Sequence, residues 1–224
     1  MASHNKISIA ITGAGGSGAV TTGLILLEAM AQAGFYGLMQ RSAGPQIRGG
    51  ESAVMMRLAD HELSGPGDAF DLWLALDWLK VKRFVDEIPL RTDSQVISDA
   101  EIGVPPDEVN AQQPVLLELP LKQTAARVDN GRVNMVGLGA LAAMLGLPVA
   151  TLHKALQKIL GSKGDSVISS SLAAIEAGMQ LAPAGSKPLT ASWQVTTGER
   201  WNISGNEACG LGALRSGVRF VAAY

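Results

Sequence analysis

The stretch that constrains this chain most is ITGAGGSGAVTTG at residues 11–23. It follows KISIAIT at residues 6–12, a short apolar run of β-branched residues that predicts a buried strand. Three glycines, Gly13, Gly15 and Gly18, fit G-x-G-x-x-G at the strand's end. Helical spacing of Val20, Leu24, Leu27 and Ala31 follows, and Gly34 stops it. A second strand is expected at residues 36–40. Strand, glycine turn, helix and strand make a βαβ unit, so the chain should fold as an α/β protein around a mainly parallel sheet.

The glycine turn leaves three readings open. It can place backbone N–H groups and a helix N-terminus against a dinucleotide, against another phosphate-bearing ligand, or serve only close helix–strand packing. A dinucleotide site also wants an acid at the end of the second strand to hold the ribose. That region reads Met39, Gln40, Arg41.

A second loop, SAGPQIRGGE at residues 42–51, is too rich in glycine and proline for a regular element. It gathers the hydroxyl of Ser42, the amide of Gln46, the guanidinium of Arg48 and the carboxylate of Glu51. Polar groups on a loop at the carboxyl end of a strand stand where α/β sheets bind ligands. The plainer reading is a subunit-contact loop with Arg48 paired to Glu51.

Further strands are expected at residues 52–58, 70–76, 95–98 and 115–119, the last at an edge, and a helix at 77–85. Residues 101–114 show no periodicity. The C-terminal third is helical: Asn134 caps a helix running to Gly146, Leu152 to Leu160 lie on one face of another, and Asp165 caps a third carrying Ile168, Leu172, Ile175 and Met179. The fold class is thus α/β, a three-layer Rossmann-like sheet with helices on both faces and a helical C-terminal group. This domain should span residues 5–182. Residues 183–203 are polar and aperiodic and read as a linker. Residues 204–224 read as a helix and then a strand over 218–224, the start of another domain, so the chain should belong to a longer polypeptide or associate with one.

Composition removes several functions. The net charge is −2, from 18 basic and 20 acidic residues without long runs of either sign, which excludes a nucleic-acid-binding footprint. The one cysteine, Cys209, cannot ligate an iron–sulfur cluster alone, and His4, His61 and His153 are too scattered for a metal site. Asp68, Asp71 and Asp77 read as turn and cap residues, and no catalytic side chain is assigned. No apolar run approaches a membrane span and no signal peptide is visible, so a cytoplasmic place is expected. Charged residues make up only 17%, which points to surface buried against partner subunits, hence an oligomer.

GAGGSGAVTTG followed by SAGPQIRGGESAVMMRL resembles the gamma domain of the 2-oxoacid:ferredoxin oxidoreductases, as do NMVGLGALAAMLGLP and ILGSKGD. The tail GNEACGLGALRSGVRFVAAY resembles the start of the alpha domain of those enzymes, in the gamma-then-alpha order most like the 2-oxoglutarate type. The resemblance implies a complex that decarboxylates a 2-oxoacid on thiamine pyrophosphate with Mg, passes electrons through 4Fe–4S clusters to ferredoxin, and hands the acyl group to coenzyme A. Thiamine pyrophosphate, Mg and clusters would belong to the alpha and beta parts, and this chain alone would be inactive. As matches for a cofactor-binding surface near coenzyme A it implies Gly13, Gly15, Gly16, Gly18, Ser42, Gly44, Pro45, Arg48, Gly49 and Gly50. An NAD(P)-binding oxidoreductase domain and a non-catalytic assembly domain are the alternatives.

Overall fold

The computed structural model describes residues 5–43, 50–79, 81–183, 188–194 and 200–222. Among them, six strands form one mixed sheet in the order β2-β3-β1-β4-β5-β6. Its strands are β1 (Lys6–Ala14), β2 (Tyr36–Ala43), β3 (Glu51–Ala59), β4 (Phe70–Ala75), β5 (Leu90–Ser98) and β6 (Val115–Glu118). β4 runs parallel to β1, β5 to β4 and β6 to β5, while β3 is antiparallel to both β1 and β2. The expected βαβ unit is therefore present but split: β2 runs in the direction of β1, with β3 inserted between them.

Period-2 alternation divides the core between the sheet faces. Ile7, Ile9 and Ile11 of β1, Val54, Met56 and Leu58 of β3, and Leu72 and Leu74 of β4 face one side. There α1 (Ala19–Gln32) and α4 (Val133–Leu145) lie on the sheet, backed by α5 (Val149–Leu160) and α6 (Asp165–Met179). The other face carries Ala10, Phe70, Trp73 and Val96 beneath the 3₁₀ segment Val81–Glu87 and the short α2 (Asp107–Asn110). The third layer is thus thin: it covers β4 and β5 and reaches β3 at Ala53 and Met55.

The helix expected over 77–85 is that 3₁₀ segment, shifted toward Pro89. Val81 and Phe84 stand three residues apart, and three residues per turn puts both on the sheet. α2 and α3 (Leu121–Ala126) are one to two turns long, too short to show periodicity in sequence.

α4 is buried at every position except Val133 and Ala143, so it must pack on all sides. It meets α6 backbone to backbone. A Cβ on Gly139 would overlap the Ile175 carbonyl, and one on Gly178 the Val136 carbonyl. The two expected caps do not form. α6 begins at Asp165 itself after Gly164, which leaves the carboxylate in the first turn, where the helix dipole favours it. Asn134 lies inside α4 and turns away from the helix end.

Residues 188–194 and 200–203, read as linker, lie against the domain through single anchors. The Leu189 N–H donates to the Met144 carbonyl (2.9 Å), and Trp193 packs edge-on against Phe35 at 5.5 Å. Arg200 sits over the Tyr36 ring at 3.4 Å and donates to the Gly34 carbonyl (3.0 Å). Asn202 donates to Glu28 (3.2 Å). Such isolated anchors leave no repeating pattern for sequence to show. After them comes α7 (Gly205–Arg215), held by a reciprocal cap between Ser204 and Glu207, with no buried residue. The strand expected over 218–224 is not formed in its described part, 218–222. A strand needs a neighbour for its N–H and C=O groups, and none is beside it among the described residues.

Glu28, on α1, is 3% exposed. Its carboxylate accepts Lys158 (2.8 Å), Gln32 (2.9 Å) and Asn202 (3.2 Å), joining α1, α5 and the docked segment. Burial raises its pKa, but the hydrogen bonds from Lys158, Gln32 and Asn202 together outweigh that and hold it below the ordinary 4.5. A depressed carboxyl pKa stabilises the fold above its unfolded value, and that stabilisation is lost as pH falls through the folded value. Stability to urea should therefore fall as pH drops below 4.5, and Glu28→Gln should flatten that slope while costing about 1–2 kcal/mol at neutral pH. Gly178→Ala should cost about 2–3 kcal/mol, since the overlap with α4 outweighs a gain of ~1 kcal/mol in helix propensity. Gly161→Ala, which meets open space, should stay within about 0.5 kcal/mol in the same assay.

Candidate functional site

Because β1, β4, β5 and β6 are parallel, their carboxyl ends emerge at one end of the sheet. β2 ends there too, and β3 begins there. The two glycine-rich segments therefore meet. Gly13 pairs with Ser52 and Ala14 with Glu51 in the β1–β3 ladder, and the Gly15 N–H donates to the Gly50 carbonyl. Ser42 and Ala43 pair with Ala53 and Ser52 in the β2–β3 ladder. So Gly13, Gly15, Gly16, Gly18, Ser42 and Gly50 stand together at this end. Gly44, Pro45, Arg48 and Gly49 lie outside the described residues, between Ala43 and Gly50.

The turn itself is exposed at Gly15 and Gly16. Gly16 (φ 92°) and Gly18 (φ 88°) adopt the left-handed region that favours glycine. Nothing lies within 4 Å of where a Gly16 Cβ would be, so the outer side of the turn is open. Gly18 is the N-cap of α1, which has no side-chain cap and no acid in its first turn. Its early N–H groups and positive dipole end are available to an anion. Beneath the turn, the Ser17 hydroxyl is buried without a hydrogen-bond partner, against the bare Cα of Gly13.

Asn134 holds the turn from behind. Its buried amide donates to the Thr22 hydroxyl (3.1 Å) and the Gly18 carbonyl (3.4 Å), and Thr22 donates to the same carbonyl (3.0 Å). In sequence Asn134 read as a cap; its signal was a lone amide opening an apolar helix. Glu51 lies 3.6 Å from Arg83, a partner from the far side of the chain that no local pattern announced. The Asp77 side chain accepts the Leu79 N–H (2.7 Å), the turn role expected of it. Leu79 itself is 87% exposed beside this end.

Among the described residues, no three His, Cys, Asp or Glu side chains gather into a metal site. No helix is long and apolar enough to cross a membrane. The arrangement offers backbone donors and an uncapped helix start: the chemistry of binding a phosphate or other anion.

The class this defines is an α/β domain with a glycine-rich turn and an uncapped helix start at the carboxyl end of its sheet. The sequence pattern described as pyruvate ferredoxin/flavodoxin oxidoreductase matches residues 8–181. The 2-oxoglutarate synthase subunit KorC of Archaeoglobus fulgidus is 31% identical over 165 residues, 72% of this chain and 83% of that protein. A solved 2-oxoglutarate:ferredoxin oxidoreductase from Magnetococcus marinus, with 2-oxoglutarate, coenzyme A and succinyl-CoA bound, superposes with a TM-score of 0.74 at 25% identity. That match covers 96% of this chain but 38% of the other, so the chain spans well under half of that polypeptide. The gamma subunit of a keto/oxoacid ferredoxin oxidoreductase from Geobacter sulfurreducens shares the fold, with a TM-score of 0.61 at 24% identity over 81% of this chain and 99% of that one. The chain belongs to the pyruvate ferredoxin/flavodoxin oxidoreductase family, as its gamma-type oxidoreductase subunit.

Removing the Asn134 clamp should loosen the turn without unfolding the domain. Asn134→Ala should cost about 2 kcal/mol in urea unfolding. It should also speed amide hydrogen exchange at residues 15–22 more than in β4 or β5.

Proposed function

We propose that this chain is the gamma portion of a 2-oxoglutarate:ferredoxin oxidoreductase, and that its two glycine-rich segments bind the phosphate-bearing part of coenzyme A. The observation that carries this is the meeting of those segments, tied by the Gly15 N–H on the Gly50 carbonyl at the carboxyl end of the parallel strands. The fit is physical. An uncapped helix start, an open Gly16 and a first turn without acids suit a polyanion. Arg48, the one cation of residues 42–51, would add charge complementarity. The reading is supported by the relatives named for 2-oxoglutarate and by the Magnetococcus marinus enzyme with coenzyme A bound.

In this reading Gly15, Gly16 and Gly18 hold the phosphates by their backbone, Asn134 keeps the turn in shape, and Ser42 flanks the ligand. Residues 204–224 would begin the alpha portion. Thiamine pyrophosphate with Mg would supply the decarboxylation chemistry and 4Fe–4S clusters the path to ferredoxin, both held by the alpha and beta parts and not by this chain. The lone Cys209, exposed on α7, suits no cluster in this chain.

The topology disfavours a dinucleotide. Such a site places the ribose-binding acid at the end of the parallel strand beside β1 on the crossover side. Here that neighbour is β3, which enters from the opposite direction, and β2 offers Gln40 and Arg41 instead.

Thermal unfolding with coenzyme A, NADH and NADPH tests the reading. A ligand of the folded state adds about 2.7 kcal/mol at a hundredfold excess over its Kd. Coenzyme A should raise the Tm, and Gly15→Val and Arg48→Ala should each remove most of that rise while leaving the ligand-free Tm nearly unchanged. A shift with NADH or NADPH and none with coenzyme A would sink the proposal.

A further inference from the structure

Two apolar side chains stand in water at the end of the sheet that carries the glycine turn. Among the described residues up to 183, Leu79 (87% exposed) and Val104 (84% exposed) are the only large apolar side chains more than half exposed. A single exposed leucine or valine is ordinary. The shared place of these two is not. Leu79 follows β4 and Val104 follows β5, both strands run in the direction of β1, and so both residues come after strand ends on the side of the sheet where Gly15 and Gly16 lie. The Leu76 N–H donates to the Thr12 carbonyl (2.8 Å), and a Cβ on Gly13 would stand 3.2 Å from that of Leu76. The segment bearing Leu79 therefore leaves the sheet directly beside the turn.

Both segments are fixed by carboxylates. Asp77 accepts the Leu79 N–H (2.7 Å), and Asp99 accepts the N–H groups of Glu101 (2.8 Å) and Lys122 (2.7 Å). The order β1-β4-β5 sets the turn, Leu79 and Val104 on three successive strands, about 10 Å from first to last at ~4.8 Å per strand. Charge changes along that line. The turn opens onto an uncapped helix start with no acid in its first turn. Beyond β4 and β5 the described cations are already engaged: Lys82 with Glu108 (3.5 Å), Arg83 with Glu51 (3.6 Å), and Lys122 with the Glu101 carbonyl (3.3 Å). The carboxylates of Asp77 and Glu101 stand on that side as well. A polyanion is thus favoured at β1 and disfavoured at β4 and β5, where uncharged apolar surface is offered instead.

We propose that Leu79 and Val104 form an apolar ledge for the uncharged arm of the ligand whose phosphates the turn holds. The inference rests on the reading of that turn as the coenzyme A site. The nucleotide phosphates would lie at β1, and the extended pantetheine arm would cross β4 toward β5, along the crevice that α/β sheets use for ligands. Leu79 and Val104 would then be specificity-determining residues: they tell coenzyme A from a nucleotide of similar charge that lacks the arm.

Isothermal titration calorimetry of the full 224-residue chain with coenzyme A, and with 3′-phosphoadenosine diphosphate as the same nucleotide without its arm, tests this. Coenzyme A should bind ~10-fold more tightly than the armless nucleotide. Leu79→Ser and Val104→Ser should each weaken coenzyme A ~5-fold, the loss of contact with about one methylene group, and leave the armless nucleotide within ~2-fold. Gly15→Val should weaken both ligands. Since Leu79 and Val104 are exposed, each serine variant should keep the wild-type Tm. Equal binding of the two ligands overturns the ledge while the coenzyme A reading stands. So does coenzyme A binding that ignores either serine substitution, which would leave the exposed pair to a protein partner. If neither ligand binds, the coenzyme A reading and the ledge fall together.

Discussion

β1 is hydrogen-bonded on one side to an antiparallel strand and on the other to a parallel one, and the rest of the molecule is arranged around that mismatch. A strand that switches direction at its neighbours marks the point where loops diverge, and α/β sheets bind ligands in the crevice so formed. Here the divergence is unusual in its content. The insertion of β3 between β1 and β2 brings the chain back at the carboxyl end of β1, so a second glycine-rich segment arrives beside the first. Without that insertion, Gly15 and Gly50 could not share a hydrogen bond.

Much of this was legible in the sequence, for identifiable reasons. All six strands were expected because each is a short apolar or alternating run bounded by glycine, proline or charge. α5 was expected because Leu152, Ala155 and Leu156 repeat at helical spacing. The direction of β3 was not legible: Ser-Ala-Val-Met-Met-Arg-Leu states a strand, but only the ladder pairing Gly13 with Ser52 says which way it runs. The 3₁₀ segment was legible as helix but not as type, because Val81 and Phe84 satisfy either period. The docking of residues 188–194 and 200–203 was invisible, since it rests on Trp193, Arg200 and Asn202, each reaching a partner more than 150 residues away in sequence on or beside α1.

For the candidate site, glycine spacing found the turn, where Gly16 and Gly18 adopt positive φ, while most of the polar loop lies outside the described residues. It did not find what supports the turn and the strand beside it. Asn134 looks like a capping residue from its neighbours alone, and Arg83 looks like any exposed cation. Both matter through contacts made across the sheet end, to Gly18 and to Glu51, and long-range side-chain pairing leaves no local pattern.

The same Asn134 links the packing of the helices to the shape of the turn. Its position is fixed by α4, and α4 is fixed by the close approach of Gly139 and Gly178 to the facing backbone of each helix pair. That approach admits no side chain, so α4 can neither slide along α6 nor rotate on it without overlap of carbonyls and Cα atoms. A helix held this rigidly carries its amide to one place, 3.1 Å from Thr22, and Thr22 in turn fixes the Gly18 carbonyl at the start of α1. The glycines that make the turn pliable in the unfolded chain are thereby held to one conformation in the folded one. A backbone anion site needs such preorganisation, because its donors are fixed N–H groups and cannot adjust as side chains do. The apolar helical group of the C-terminal third, which carries no ligand chemistry of its own, thus defines the geometry of a turn more than a hundred residues earlier.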